Sequence, residues 1–306
     1  MVIAKTDSPL LSVAVAPTAR RRRARLVNWL QDIYPETAAV LGVPLIRGPI
    51  AGALAALRDR SLGNAEATVA AGELMADRIK ALGVPPARVH VIANWCDDEA
   101  IRPLQPANNP LRDAWQLAGK FVVGYSGNLG RAHEFETMLA AAKRLRNEPR
   151  IVFLMIGGGK QFEAMARAVK AHGLEDAFRF RIYQERAMLP HSLTVSDVHW
   201  LSLDPRLEGL IVPSKFYGIA AAGRPIVMIG DKQGEIGRLV RQHRCGVVIT
   251  PGDAVTLADT LRRWSKAPQI LAEMGARARQ MLDKKIYQSS GDGALEPIGR
   301  PVGRRN

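Results

Sequence analysis

The sequence predicts an α/β protein whose sheets are parallel and carry helices on both faces. Short apolar segments alternate with amphipathic segments through most of the chain, and several of the apolar segments end in glycine-rich turns. Because parallel strands are buried on both faces and joined by helical crossovers, this alternation is typical of a doubly wound sheet. The length of 306 residues, 47% of them hydrophobic, is enough for two domains. Ligands are then expected at the carboxyl ends of the strands.

The amino-terminal part, residues 1–102, predicts βα units. Short buried strands are predicted over 26–30 and 89–92, and helices over 50–62 and 72–82. Residues 103–118 have the composition of turns, with three prolines, and are predicted to form an interdomain linker.

A second domain is predicted over 119–285, where the alternation is regular. Its predicted strands are 121–125, 151–156, 178–183, 198–203, 225–229 and 246–249. Its predicted helices are 134–145, 161–171, 187–192, one that opens on Pro213, 236–242, 255–266 and 271–282. Residues 286–306 are rich in Ser, Gly, Pro and Arg without apolar periodicity, and they are predicted to be a flexible tail.

Composition excludes several classes of protein. The two cysteines, Cys96 and Cys245, have no second Cys or His at ligand spacing, which argues against a disulfide scaffold or a zinc site. Neither a membrane-spanning apolar run nor the order of a signal peptide is recognisable, so a cytoplasmic protein is expected. The net charge of +14 suits nucleic acid, anionic lipid or a phosphorylated small molecule, and charge alone does not choose among them.

The segment from Glu208 to Gly218 places a carboxylate and a glycine between a predicted strand and a helix that opens on Pro213 and Ser214. Proline is tolerated in the first helical turn, where free amide groups point at whatever lies in front of the helix. The arrangement predicts an anion pocket for a phosphorylated ligand. The alternative for Glu208 is a carboxylate that only stabilises the helix dipole.

Two glycine-rich turns follow predicted strands. The first, Tyr125-Ser126-Gly127-Asn128-Leu129-Gly130-Arg131, would let backbone amides approach a diphosphate, and Arg131 could donate two parallel hydrogen bonds to phosphate oxygens. The second, Gly157-Gly158-Gly159, permits the same close approach. A tight βα turn without a ligand is the alternative for both.

Together with two passages near the amino terminus, these segments resemble the motifs of the family 4 glycosyltransferases. The two passages are Thr6-Asp7-Ser8-Pro9-Leu10-Leu11-Ser12 and Asn28-Trp29-Leu30-Gln31-Asp32-Ile33-Tyr34-Pro35-Glu36, and all five segments occur in the family's order. The resemblance covers most of the chain and is close to a bacterial surface-polysaccharide subgroup that includes enzymes of O-antigen and colanic acid synthesis.

The resemblance implies the GT-B fold, with two Rossmann-like domains, and a retaining transferase. Such an enzyme moves a hexosyl or N-acetylhexosaminyl group from a nucleotide-diphosphate donor, here to a lipid-linked saccharide acceptor. According to the resemblance, the enzyme needs neither a cofactor nor a metal ion. The resemblance also implies a protein held peripherally at the inner membrane face. The family has several βα units before the passage that begins at Thr6, so the first domain is expected to be incomplete.

The resemblance also assigns roles to single residues. Arg131 and His133 would neutralise the diphosphate, and Glu208 would lie beside the donor sugar. The family's second carboxylate is replaced by Phe216, so the ribose contact is expected to be lost and Lys215 to substitute for it. The full set of expected donor contacts is Gly127, Asn128, Arg131, His133, Gly158, Tyr183, Glu208, Gly209, Ser214 and Lys215.

Asp32, Glu208 and Arg131 are the expected catalytic residues. Asp32 follows a strand of the first domain, on the side that would face the acceptor, and could accept a proton from the attacking hydroxyl. Its alternative role is an N-cap for the following helix. Tyr183 is expected to hold the nucleobase.

Three other interpretations remain. One is a truncated, non-catalytic domain that binds nucleotide sugars, and another is a sugar-nucleotide epimerase of the same fold, for which further acid and base residues are not evident. The third, nucleic-acid binding, rests on the run Arg20-Arg21-Arg22-Arg23-Ala24-Arg25 and is disfavoured, because no aromatic residues are interleaved. The run is more typical of a solvated helix end, and it favours an anionic membrane surface.

Overall fold

The structure is a computed structural model that describes residues 1–6 and 8–291, and its chain forms two compact units. The first unit comprises Met1–Asn94, Leu207–Val212 and the described residues from Asp283 onward. The second comprises Trp95–Arg206 and Pro213–Leu282. The first boundary therefore lies at Asn94, slightly before the position predicted from the sequence.

The first unit has a four-stranded parallel sheet of order β1-β2-β3-β4. Its strands are β1 (Val2–Lys5), β2 (Leu26–Trp29), β3 (Ala67–Ala70) and β4 (Val89–Val91). Its helices are α1 (Leu11–Arg21), α2 (Glu36–Val40), α3 (Gly48–Asn64) and α4 (Glu73–Ala81).

Both faces of this sheet are covered, because successive side chains of a strand point to opposite faces. Leu26 packs in a cluster with Ala4 and Ala19, whereas its neighbour Val27 packs with Val69. The sequence did not predict β1, α1 or β3. The two strands have only four residues each, and Pro17 interrupts the helical pattern of α1.

The second unit has a six-stranded parallel sheet of order β10-β9-β8-β5-β6-β7. Its strands are β5 (Phe121–Asn128), β6 (Ile151–Gly158), β7 (Phe178–Arg181), β8 (Val198–Ser202), β9 (Ile226–Ile229) and β10 (Gly246–Ile249). The helices from residue 95 onward are α5 (Pro110–Ala114), α6 (Glu136–Arg144), α7 (Lys160–Ala171), α8 (Leu189–Thr194), α9 (Lys215–Ala221), α10 (Glu235–His243), α11 (Ala254–Trp264) and α12 (Pro268–Gly291).

This strand order is that of a doubly wound Rossmann-like sheet, in which the connections run outward in both directions from β5 and β8. One face is covered by a large apolar cluster that includes Tyr125, Trp200 and Leu261. A second cluster covers the other face, with Val122 and Val152. The predicted α/β class and its parallel sheets are confirmed.

The segment predicted as an interdomain linker is part of the second unit. Leu111 and Leu117 are buried with Val122 in the second cluster, and the Arg112 guanidinium lies 2.6 Å from the Asp197 carboxylate. One of its prolines marks a helix start: Pro110 occupies the first turn of α5, and the side chain of the N-cap residue Asn109 accepts a hydrogen bond from the Leu111 amide.

The first residues of the predicted tail, 286–291, are helical instead, because α12 extends from Pro268 to Gly291. The rest of the predicted tail, 292–306, lies outside the described residues. Within the described part of the chain, none of the helices combines the length and the apolar character that crossing a bilayer requires.

Candidate functional site

The strand order of the second unit reverses between β5 and β8. Strand β5 pairs with β6 along its whole length, from Phe121 to Asn128, but with β8 only at Val123 and Gly124. Beyond Gly124 the carboxyl end of β5 therefore has a ladder partner on one side only. In doubly wound sheets this switch point is where ligands bind.

Three glycines with positive φ shape the turns at this edge: Gly127 (φ 127°), Gly157 (φ 132°) and Gly159 (φ 116°). A Cβ on Gly127 would lie 2.6 Å from Cε of Lys215, and a Cβ on Gly157 would overlap the carbonyl oxygen of Gly127. A Cβ on Gly159 would overlap the side-chain oxygen of Asn128. All three glycines are thus favoured by backbone conformation, and Gly157 and Gly159 are also required by space, because a Cβ on either would meet backbone atoms.

Lys215 and His133 meet at this edge. The Nζ atom of Lys215 lies 3.1 Å from Nε2 of His133 and 5.4 Å from the centre of the Tyr125 ring. Nδ1 of His133 lies 2.6 Å from the carbonyl oxygen of Ser202, the last residue of β8. Because a carbonyl oxygen can only accept, Nδ1 carries the proton and donates it, which leaves Nε2 free to accept from the Lys215 ammonium group.

The electrostatics agree with this tautomer. Burial lowers the pKa of His133 to about 4, with a further contribution from the charge of Lys215, and the Ser202 carbonyl acts in the opposite direction. Burial also lowers the pKa of Lys215 to about 8. At neutral pH the pair therefore presents one positive charge, the ammonium group, and a neutral imidazole.

Asn128, Gly158 and Tyr183 are other predicted donor residues in the second unit. The carbonyl oxygen of Asn128 accepts a hydrogen bond of 2.7 Å from the Tyr125 hydroxyl. Tyr183 is 57% exposed, and its ring lies 3.1 Å from where a Cβ on Gly158 would be. An exposed aromatic ring thus stands beside the second glycine turn.

Arg131 and Ser214 are exposed at the surface of the second unit. In the described part of the chain, neither has a hydrogen bond to the His133–Lys215 pair. Helix α9 begins at Lys215, with Ser214 as an N-cap that makes no side-chain capping bond, so Pro213 precedes the helix instead of opening it. The first residue of α9 is therefore Lys215, whose side chain lies against Gly127 and His133.

Phe216, at the position of the family's second carboxylate, is fully buried and packs edge-on against Tyr217 with ring centres 5.4 Å apart. The position belongs to the core of the unit. The loss of the ribose contact at this position stays a prediction.

The remaining predicted residues, Asp32, Glu208 and Gly209, belong to the first unit. Asp32 and Glu208 both form backbone bridges with Ile211. Gly209 has φ 73°, and its neighbour Glu208 accepts a hydrogen bond of 3.1 Å at its carbonyl oxygen from Arg78 Nε.

The structure thus gathers these three residues around one short backbone segment. The alternative role of Asp32 as a helix cap is not observed, because the N-cap of α2 is Pro35.

Sequence reasoning missed Tyr125 and Ser202 as members of the site. Tyr125 is fully buried, and Ser202 acts through its backbone carbonyl, which leaves no signal in the residue type. Among the described residues, no group of three or more His, Cys, Asp or Glu side chains is arranged to hold a metal ion.

A doubly wound parallel domain with glycine turns and a cation at its switch point belongs to the nucleotide-binding class of α/β domains. Residues 109–281, more than half of the chain, match the family described as "Glycosyl transferases group 1", and the chain belongs to this family. The family predicted from the sequence is confirmed.

Two curated relatives are named as bacterial glycosyltransferases. The Pseudomonas aeruginosa protein named "Probable glycosyltransferase WbjE" is 30% identical over 262 residues, which are 84% of this chain and 64% of the relative. WcaI of Escherichia coli K12, named as a colanic acid biosynthesis glycosyl transferase, is 26% identical over 274 residues, 87% of this chain and 66% of the relative. The predicted subgroup is confirmed, and the chain spans slightly less than two thirds of the length of either relative.

The crystal structure of Anabaena HepE in complex with UDP-glucose superposes with a TM-score of 0.77 at 18% identity, covering 97% of this chain and 78% of HepE. This likeness confirms the expected GT-B fold.

Proposed function

We propose that this protein transfers a sugar, with retention, from a nucleotide-diphosphate donor to a saccharide acceptor in the synthesis of a surface polysaccharide. The observation that carries the proposal is the Lys215 ammonium group held by His133 beside the glycine turn at the end of β5. Negative charge grows on the diphosphate as the sugar departs, and a fixed, half-buried cation stabilises that charge more in the transition state than in the ground state.

The proposal assigns the other residues as follows. Lys215 and Arg131 neutralise the diphosphate, and the Tyr183 ring holds the nucleobase. Glu208 orients the donor sugar, and Asp32 accepts a hydrogen bond or the proton of the attacking hydroxyl. The group transferred is a hexosyl or N-acetylhexosaminyl group, and charge stabilisation comes from protein cations without a cofactor. The HepE crystal structure contains UDP-glucose, which supports a uridine nucleotide as the first donor to test.

The test begins with binding. UDP-, GDP- and dTDP-sugars are titrated into the protein by calorimetry, and transfer is then measured to a saccharide carried on polyprenyl diphosphate. The proposal expects one nucleotide class to bind and its sugar to be transferred. Binding without turnover would support the non-catalytic binding domain instead, and conversion of the donor sugar without an acceptor would support the epimerase.

We propose that the protein acts at the inner face of a membrane, where its lipid-linked acceptor would lie. A cavity of about 780 Å³ in the first unit is lined by five arginines and by apolar residues such as Val13, Pro17 and Leu57. The arginines are Arg20, Arg21, Arg23, Arg25 and Arg60. Each basic residue near an anionic surface contributes about 1 kcal/mol, and the apolar residues can meet the acyl boundary.

This location is tested by sedimentation with vesicles. Vesicles containing phosphatidylglycerol should bind the protein and vesicles of phosphatidylcholine should not. Exchanging the exposed Arg20 and Arg21 for Glu should abolish binding, whereas the same exchange at the exposed Arg144 and Arg263 of the second unit should matter much less. Equal losses from both pairs would show that only net charge matters.

A further inference from the structure

We propose that His133 is a positioning residue: its neutral imidazole holds the Lys215 ammonium group over the glycine turn at the end of β5. The inference rests on the proposed function only for the statement that this ammonium group binds diphosphate. It changes the role expected of His133, which was to contact the phosphates directly.

Both ring nitrogens of His133 are already engaged. Nδ1 donates to the Ser202 carbonyl at 2.6 Å, and Nε2 accepts from Lys215 at 3.1 Å. An imidazolium would have to donate at both positions and would place a second positive charge against the ammonium group. The low pKa of His133 agrees with a ring that stays neutral while Lys215 is charged.

The imidazole is itself fixed by its surroundings. The side-chain amide of Gln161, in α7, donates to the His133 carbonyl oxygen at 2.7 Å, and the His133 ring meets Tyr125 at a centre-to-centre distance of 6.1 Å. From β8 it meets the Ser202 carbonyl, and from α9 it meets Lys215. The pKa of Tyr125 is raised by burial, so its hydroxyl stays neutral beside the pair.

Fixing a lysine side chain, which has four rotatable bonds, costs rotamer entropy. In this protein the cost is met before any ligand arrives. Nε2 of His133 holds the end of the chain, and the missing Cβ of Gly127 leaves room for Cε of Lys215. A ligand then meets a cation already in place, which favours both affinity and a defined position for the leaving group.

The test is a double-mutant cycle, with inorganic pyrophosphate and UDP as probes in calorimetry of the full chain. His133→Phe keeps the ring shape but removes the acceptor, and should weaken both probes roughly five- to thirtyfold. Lys215→Met should weaken them at least as much, and the double variant should bind no worse than Lys215→Met alone. His133→Gln, which can place an amide oxygen near Lys215, should restore most of the affinity.

Additive losses in the double variant, or full affinity in His133→Phe, would overturn the inference. Lys143→Met, at an exposed lysine of α6, controls for the loss of one positive charge. Nitrogen NMR of the unliganded protein at pH 7 gives a second readout: Nδ1 should carry the proton, and an imidazolium or the opposite tautomer would contradict the arrangement. If the wild-type protein shows this tautomer but binds neither probe, the proposed function fails while the His133–Lys215 arrangement stands.

Discussion

The α-carbon of Gly157 faces the carbonyl oxygen of Gly127 so closely that a Cβ on Gly157 would overlap it. The two residues are register partners at the carboxyl ends of β6 and β5. This contact is between two backbones, so no side-chain movement can relieve it. The two glycine turns can therefore lie this close together only because Gly157 has no Cβ.

Gly157→Ala should accordingly destabilise the protein by roughly 2–4 kcal/mol, because the new Cβ meets backbone and φ 132° is strained for alanine. Gly130→Ala is the matched control, since its φ is not positive and a Cβ there would lie 3.4 Å from the nearest atom, Nδ2 of Asn128. Urea unfolding should show a change below about 1 kcal/mol for this control. Similar losses of stability in both variants would show that the contact with the Gly127 carbonyl oxygen is not what destabilises Gly157→Ala.

Phe216→Glu would place a carboxylate at the position where the family has its second one, but we expect this carboxylate not to reach the donor site. Position 216 is fully buried, so the carboxylate would lose its water without gaining a partner. We expect a loss of several kcal/mol in urea unfolding and no gain in affinity for UDP among molecules that remain folded. Phe216→Leu should cost about 1 kcal/mol. A folded Phe216→Glu protein with tighter UDP binding would show that the side chain can reach the ligand.

The second unit was largely predictable because its strands are apolar and its helices amphipathic. The spacing of the apolar residues therefore identified these strands and helices. The glycine turns marked the strand ends at which the candidate site lies. The linker around Leu111 was mispredicted because prolines signal helix starts as well as loops. The His133–Lys215 pair could not be predicted as a unit, since the two residues are 82 positions apart and meet only through the fold.

Tyr183→Ala should weaken UDP binding but leave pyrophosphate binding unchanged. The exposed Tyr183 ring beside Gly158 can stack on a nucleobase, and pyrophosphate has none. Stacking of a base on an aromatic ring contributes roughly 1–3 kcal/mol, which corresponds to about five- to 150-fold in affinity. Tyr183→Phe keeps the ring and should bind UDP nearly as well as the wild type. Equal losses for UDP and pyrophosphate in Tyr183→Ala would place the tyrosine at the phosphates instead.

The free energy of unfolding should fall as the pH decreases from 6.5 to 4, partly because of His199. Burial lowers the pKa of His199 to about 4, so over this interval the unfolded chain binds the proton and the folded protein does not. The contribution is full above pH 6.5, is lost as the pH falls through 4, and amounts to roughly 3 kcal/mol.

His199→Leu removes this group, so its free energy of unfolding should decrease less than that of the wild type over the same pH range. Urea titrations at several pH values measure the difference in slope, which is independent of any constant loss from the missing hydrogen bond to Leu193. The same exchange at the exposed His172 is the control. Parallel slopes for wild type and His199→Leu would show that the buried imidazole does not titrate as expected.

Glu208→Gln and Asp32→Asn separate the chemistry of transfer from the binding of the donor. Both residues lie in the first unit, beside Ile211, whereas the cation and the glycine turns that we propose to bind diphosphate lie in the second. Each exchange keeps the size of the side chain and removes its charge, so affinity for UDP should change less than threefold. The turnover of sugar should fall by about 10²–10⁴-fold for a residue that assists proton transfer or orients the sugar in the transition state. A loss of UDP affinity in Glu208→Gln that matches the loss of turnover would show instead that this carboxylate acts in binding the nucleotide.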